Sequence, residues 1–161
     1  HMIDEYLAFA QGEAGEAAQT VIVAEMLDAA ADDARRAGAG AEVVVPADLT
    51  ANVRPMAFKR ALANLAGNAA AHGEHVRLSA RPLASGGLEV MIEDDGPGIP
   101  PDMYEEAFRP FSRLDPARNQ NRKGVGLGLA IARDVARGHG GDITLDRSDL
   151  GGLKALIRLP G

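Results

Sequence analysis

The stretch that decides the fold is Lys123-Gly124-Val125-Gly126-Leu127-Gly128-Leu129-Ala130-Ile131-Ala132-Arg133. Three glycines at alternate positions run directly into a helical pattern in which Leu127, Ile131 and Val135 recur at i, i+4 and i+8. Glycine costs roughly 1 kcal/mol against alanine in a helix interior, so three of them at a helix start need a reason. One reason is an anion cradle: without a Cβ the backbone approaches closely, and the unpaired N–H groups of a helix N-terminus face the ligand. The bland alternative is a flexible loop that happens to precede a helix, and this element alone does not choose between them.

Outward from it, the C-terminal side holds a strand pair, Asp142–Asp146 and Leu153–Leu159, around Gly151-Gly152. On the N-terminal side the segment Arg109–Lys123 is polar, basic and turn-rich, and a loop of that length inside a domain is usually functional. A short helix is expected near Pro101–Phe108. Before it, Val76–Arg81 and Leu88–Glu93 alternate as half-buried strands joined by Ser85-Gly86-Gly87. Pro55 opens a helix that runs to His72, with Gly73 as its stop. Glu42–Val45 and Asp48–Val53 read as a hairpin about Pro46, and Thr20 as the cap of a helix over Val21–Ala37. Ile3–Ala10 carries a short helical stripe, and His1-Met2 reads as a tag remnant. The expectation is an α/β two-layer sandwich: a mixed, mostly antiparallel sheet with three main helices on one face.

Composition removes several classes. The chain has 161 residues, enough for one domain with a real core, and carries a formal net charge of −6 with no dense Lys/Arg run, which argues against nucleic acid. It has no cysteine, so disulfides and thiolate metal sites are excluded. No apolar run approaches the ~18 residues of a membrane span, and no signal peptide is visible.

On the helix from Pro55, Asn64 and Asn68 sit four apart and share a face, with His72 one turn on. Asn68 falls at the border of the apolar face made by Phe58, Ala61, Leu62, Leu65 and Ala69. An amide oxygen there suits Mg²⁺, a hard ion that takes oxygen ligands and keeps several waters; polar residues on a solvated helix edge are the alternative. Glu93-Asp94-Asp95-Gly96-Pro97-Gly98-Ile99 follows a strand directly. A carboxylate at a strand's end can accept from an exocyclic amine such as adenine N6. The same residues would also serve as a carboxylate-decorated turn, or as a pair of metal ligands.

Taken together, Asn64–Asn68, Asp94–Gly96–Gly98, Phe108–Arg109–Pro110–Phe111 and Gly124–Gly126–Gly128 occur in the order of the N, G1, F and G2 boxes. The chain thereby resembles the catalytic and ATP-binding domain of bacterial sensor histidine kinases, of the EnvZ type. That domain belongs to the ATPase superfamily, called GHKL or Bergerat-fold, that includes gyrase, Hsp90 and MutL. The likeness spans Val21 to Pro160. It implies ATP and Mg²⁺ as cofactors, with Asn68 on the metal and Asp94 on adenine. Gly96, Gly98 and Ile99 would shape the pocket, and Asn64 and His72 would line it. Gly124, Val125, Gly126, Leu127, Gly128 and Leu129 would serve the triphosphate and hinge a lid over Arg109–Lys123. Phe108 and Phe111 would pack the lid's base. Arg113, Arg118, Arg122 and Lys123 would be phosphate or partner contacts, and Lys123 joins Asn68 as a catalytic candidate.

The resemblance further implies a protein-histidine kinase whose partners are ATP or ADP, a histidine-bearing dimerisation domain and a response regulator receiver domain. Residues 3–18 would be the end of a dimerisation helix and a linker, and 19–161 a monomeric catalytic domain, cytoplasmic within an inner-membrane-anchored parent. Two departures stand out. Position 71 is Ala where such kinases usually carry Lys or Arg, which opens a degenerate nucleotide-sensing or docking module as the alternative. No histidine sits in a phosphoacceptor-like box. A third class, a hydrolase of the same superfamily, typically places Glu four residues before the Mg²⁺ ligand. Here that residue is Asn64, which favours a kinase.

Overall fold

A computed structural model describes residues 16–109 and 128–160 of the chain. Its elements in order are strand β1 (Gln19–Ile22), helix α1 (Val23–Arg36), strands β2 (Gly40–Val44) and β3 (Thr50–Val53), and helix α2 (Pro55–His72). Strands β4 (His75–Pro82) and β5 (Leu88–Asp94) follow, then a 3₁₀ turn (Pro101–Met103) leading into the short helix α3 (Tyr104–Ala107). Helix α4 (Gly128–Gly138) and strands β6 (Asp142–Arg147) and β7 (Leu153–Leu159) complete the set.

Five strands form one sheet in the order β2-β4-β5-β7-β6, with β2 parallel to β4 and every other neighbour antiparallel. Alternation along the strands gives this sheet two unlike faces. Val76, Leu78, Ala80, Val90, Ile92, Ile143, Leu145, Ala155 and Ile157 are buried and join Leu27, Ala31, Phe58, Leu62, Leu65, Ala132 and Val135 of the helices in one core. The small residues on the helices allow close approach, which compensates for a chain with 4% aromatics and no Trp. On the opposite face Glu89 and Glu93 of the central strand are nonetheless 1% and 3% exposed. Arg81 and Arg158 cover Glu89 from the flanking strands at 2.8 and 2.9 Å, and Arg77 covers Glu93 at 2.9 Å. Burial alone would raise the Glu89 pKa, but the bonds from Arg158 and Arg81 prevail and hold it low.

The two-layer sandwich with a mixed, mostly antiparallel sheet stands as expected, with a short fourth helix, α3, beside the three long ones. Two local expectations are corrected. Gln19–Ile22 is a strand rather than the start of a helix; Thr20 lies within it, and the helix begins at Val23 with no side-chain cap. β2 and β3 are not a hairpin either: β3 pairs with β1 in a separate two-stranded sheet, while β2 pairs with β4. Pro46 therefore separates two sheets instead of turning one chain back on itself.

Candidate functional site

Helix α2 starts at Pro55, whose fixed φ and missing N–H suit a first helical position. It buries Ala57, Phe58, Ala61, Leu62, Leu65, Ala66 and Ala69, and this leaves Asn64 and Asn68 half-buried along the flank. The Asn64 side-chain nitrogen is buried and has no hydrogen-bond partner among the described residues. A buried amide N–H₂ without a partner costs about 1–3 kcal/mol, so its position calls for a ligand or water there.

Gly128 opens α4 directly opposite: a Cβ built on it would lie 3.7 Å from the Asn64 carbonyl oxygen. The last glycine of the glycine-rich stretch thus sits against the first asparagine of α2. Leu129 behind it is buried in the core.

The second wall is the end of β5. Asp94 is 2% exposed, and its Oδ1 accepts from the backbone N–H of Gly96 at 2.9 Å and of Leu153 at 3.3 Å. Its carbonyl accepts from Gly152 N–H at 3.1 Å. The turn after it packs onto the end of α2, where a Cβ on Gly96 would collide with the His72 carbonyl oxygen, and one on Gly152 with Asp94 Oδ1. Gly98 has φ +72°, a left-handed conformation that side chains rarely adopt. Ile99 is partly buried against the core and borders a cleft of about 430 Å³ with Gly98, Tyr104, Arg147 and Gly152. His72, half-buried, ends α2 beside this turn.

Asn64, Asn68, His72, Asp94, Gly96, Gly98, Ile99, Gly128 and Leu129 therefore lie on α2 and on two segments packed against it, α4 at Asn64 and the turn after β5 at His72. Phe108 is buried, with the Arg133 guanidinium 4.1 Å above its ring. Phe111, Arg113, Arg118, Arg122, Lys123, Gly124, Val125, Gly126 and Leu127 lie outside the described residues, as does Ile3–Ala10.

Sequence reasoning missed the part played by Asp95. Its Oδ1 accepts from Glu74 N–H (2.8 Å) and His75 N–H (3.0 Å), and its Oδ2 meets His75 Nδ1 at 2.9 Å. The His75 backbone N–H, then its ring, then the Glu74 N–H hold the Asp95 carboxyl down to about 2. Asp95 is thus a brace between α2 and β4, and the described residues contain no group of three or more His, Cys, Asp or Glu that could hold a metal. Gly73 ends α2 as expected, in extended backbone at φ −125°, and a Cβ built on it would lie 2.7 Å from Asp95 Oδ1.

A family model described as histidine kinase-, DNA gyrase B-, and HSP90-like ATPase matches residues 53–161, more than half of the chain. The chain belongs to this family. Among relatives, the sensor histidine kinase CpxA of Escherichia coli K12 is 37% identical over 140 residues, covering 84% of this chain and 30% of CpxA. The solved ATP binding domain of PrrB from Mycobacterium tuberculosis is 31% identical with a TM-score of 0.74, covering 91% of this chain and 98% of that one. The solved histidine kinase domain of the E. coli osmosensor EnvZ is 30% identical with a TM-score of 0.65, covering 88% of each chain. The chain spans under a third of the length of the relatives it matches. Membership in an ATPase family implies a nucleotide site, and the residues fit one. Asn68 offers a hard oxygen, Asn64 an unpartnered buried donor, and Gly96 and Gly152 bring backbone close to the Asp94 carboxylate. No described helix is long and apolar enough to cross a membrane.

Proposed function

We propose that this chain is the ATP-binding catalytic domain of a sensor histidine kinase, which transfers the ATP γ-phosphoryl group to a histidine on a separate dimerisation domain for relay to a response regulator receiver domain. The observation that carries this reading is that one helix, α2, packs against Gly128 at Asn64 and against the Asp94–Gly96 turn at His72, with Asn68 between these two contacts. Asp94 holds the adenine amine, Asn68 gives an oxygen to Mg²⁺, and Gly96, Gly98 and Ile99 shape the base pocket. When bound, Mg²⁺ neutralises phosphate charge. Asn64 and His72 line the phosphate side, with Lys123 and the glycines from Gly124 to Gly128 closing it.

The amide at position 64 cannot accept a proton. A neutral imidazole is already nucleophilic and needs less help from a base than water or a serine does, so the chain's contribution is positioning and charge. His139 and His75 are already engaged within the fold. His139 uses both nitrogens, with Nε2 accepting from Arg54 N–H at 3.0 Å and Nδ1 donating to the Val135 carbonyl at 2.7 Å, while His75 faces Asp95. Residues 3–18 are then the end of a dimerisation helix with its linker, and 19–161 a catalytic domain on the cytoplasmic side of a membrane-anchored parent.

Titration of Mg-ATP and ADP by calorimetry tests the site. Wild type binds in a Mg²⁺-dependent way; Asp94→Asn loses at least about 100-fold in affinity, the scale expected when a site built to hydrogen-bond its ligand loses that match. Asn68→Ala removes the Mg²⁺ dependence. The dimerisation domain supplied in trans then gains phosphohistidine. Tight ATP binding by Asp94→Asn would overturn the site assignment. Absence of binding by a folded wild type at millimolar nucleotide would favour the degenerate module, with exposed Ala71, which supplies no cation, as the first suspect.

A further inference from the structure

The start of α2 is held in an unusual way. Its N-cap, Arg54, makes no side-chain cap bond, and Pro55 has no N–H, which leaves Met56 and Ala57 as orphan donors. Both are taken by one carboxylate from 40 residues upstream: Met56 N–H donates to Glu16 Oε2 at 2.8 Å and Ala57 N–H to Glu16 Oε1 at 3.1 Å. The charge of Glu16 also opposes the positive end of the helix. Three residues after Glu16 the chain enters β1, which pairs with β3 from Gln19↔Val53 to Ile22↔Thr50, and β3 leads through Arg54 into α2. The entry of the chain is therefore fastened twice to the root of one helix. Some 12 residues further along the same helix, about 18 Å at 1.5 Å per residue, stands Asn68.

We propose that Glu16 is a positioning residue that couples β1 and the chain leading into it to the nucleotide-binding helix, so that nucleotide occupancy and the seating of this entry segment are linked equilibria. The inference rests on reading α2 as the nucleotide helix. Linkage is reciprocal: what nucleotide does to the latch, the latch does to nucleotide affinity. Glu16 is half-buried at the opposite end of α2 from Asn68 and is not among the core residues, so its removal leaves the core and the site residues in place.

Amide exchange of the 161-residue chain by NMR, with and without saturating Mg-ATP, tests this. Glu16→Ala speeds exchange at Met56 and Ala57 about fivefold, the scale of a lost cap. In wild type, Mg-ATP slows exchange at residues 19–22 by about fivefold, the low end of ordinary coupling, and in Glu16→Ala that response is lost and the nucleotide Kd rises by the same factor. Glu16→Gln, which keeps one acceptor oxygen, restores part of both effects; a purely structural role would not return the nucleotide response. Unchanged exchange at Met56 and Ala57 in Glu16→Ala overturns the latch. Calorimetric binding of Mg-ATP by wild type with no response at residues 19–22 overturns the coupling alone. No binding by wild type overturns the reading of α2, and the inference with it.

Discussion

The two ends of α2 are built on opposite plans. At its root, backbone donors are satisfied by side chains borrowed from far along the chain, with Glu16 on Met56 and Ala57 and His139 Nε2 on the N–H of Arg54. At its tip the last turn is closed by backbone among the described residues. Gly73 N–H closes the last turn on the Ala69 carbonyl, and the turn after β5 presses its backbone onto the His72 carbonyl. The root is a set of side-chain bonds; the tip is contact between main chains with no room for a methyl group. Damage to the root should cost a bond or two, whereas damage at the tip should move the walls of the site.

Between the two ends, Gly96→Ala therefore carries the larger expected effect. The added Cβ meets backbone, the His72 carbonyl, and no rotamer change relieves it. A cost near the top of the overpacking range, about 3 kcal/mol, is expected. For a chain of this size that lowers Tm by about 10 °C. Nucleotide binding falls with it, because Asp94 Oδ1 is fastened to Gly96 N–H. A variant that melts like wild type would show that the tip yields, and would erase the contrast between the two ends.

At the root, His139→Ala removes the acceptor for Arg54 N–H, the donor to the Val135 carbonyl and an edge-on contact with the Phe58 ring at 6.3 Å. Leaving a half-buried N–H without a partner sets the scale at about 2 kcal/mol, read as a fall in the denaturation midpoint with an unchanged slope. Because His139 closes α4 at the end away from Gly128, nucleotide affinity should change far less than in Gly96→Ala. An affinity loss as large as that of Gly96→Ala would mean that the root and the tip are one unit.

The same contrast explains how much could be read from sequence. The bounds of α2, its apolar face and the asparagine flank were legible, because Pro55, the 3.6-residue period and the i, i+4 spacing are local signals. The order of the four motifs led to the family, and the turn glycines at 96 and 98 announced a tight approach. What could not be read was long-range. Thr20 followed by a helical period imitated a capped helix, yet Gln19–Ile22 became a strand because β3 was available to pair with it. β2 and β3 looked like a hairpin, and only the parallel partner β4 separates them. Nothing local says that Glu16 finds Met56, or that Asp95, beside a site carboxylate, spends its oxygens on Glu74 and His75.

Asp95 gives the smallest and most selective test of the tip. Its carboxyl is held at about 2, chiefly by the His75 backbone N–H and then the His75 ring, below the usual carboxylate value of about 4. A carboxyl with a lowered folded pKa stabilises the fold fully above its unfolded value and loses that contribution as pH falls through the folded one. The brace is thus intact at neutral pH; its contribution to stability is lost between about pH 4 and 2, and in the folded chain the carboxyl protonates near the lower of these. Glu89, Asp142 and Asp149 are also held low, so total acid sensitivity does not isolate Asp95. The difference between wild type and Asp95→Asn does. With 29% of its side chain exposed, Asp95 contributes modestly, so the sharper readout is the amide shifts of Glu74 and His75. In the folded chain those shifts should move together as pH falls through about 2 in wild type and stay flat in Asp95→Asn. If they move equally in both, the turn between α2 and β4 is held by its backbone packing and not by the carboxylate.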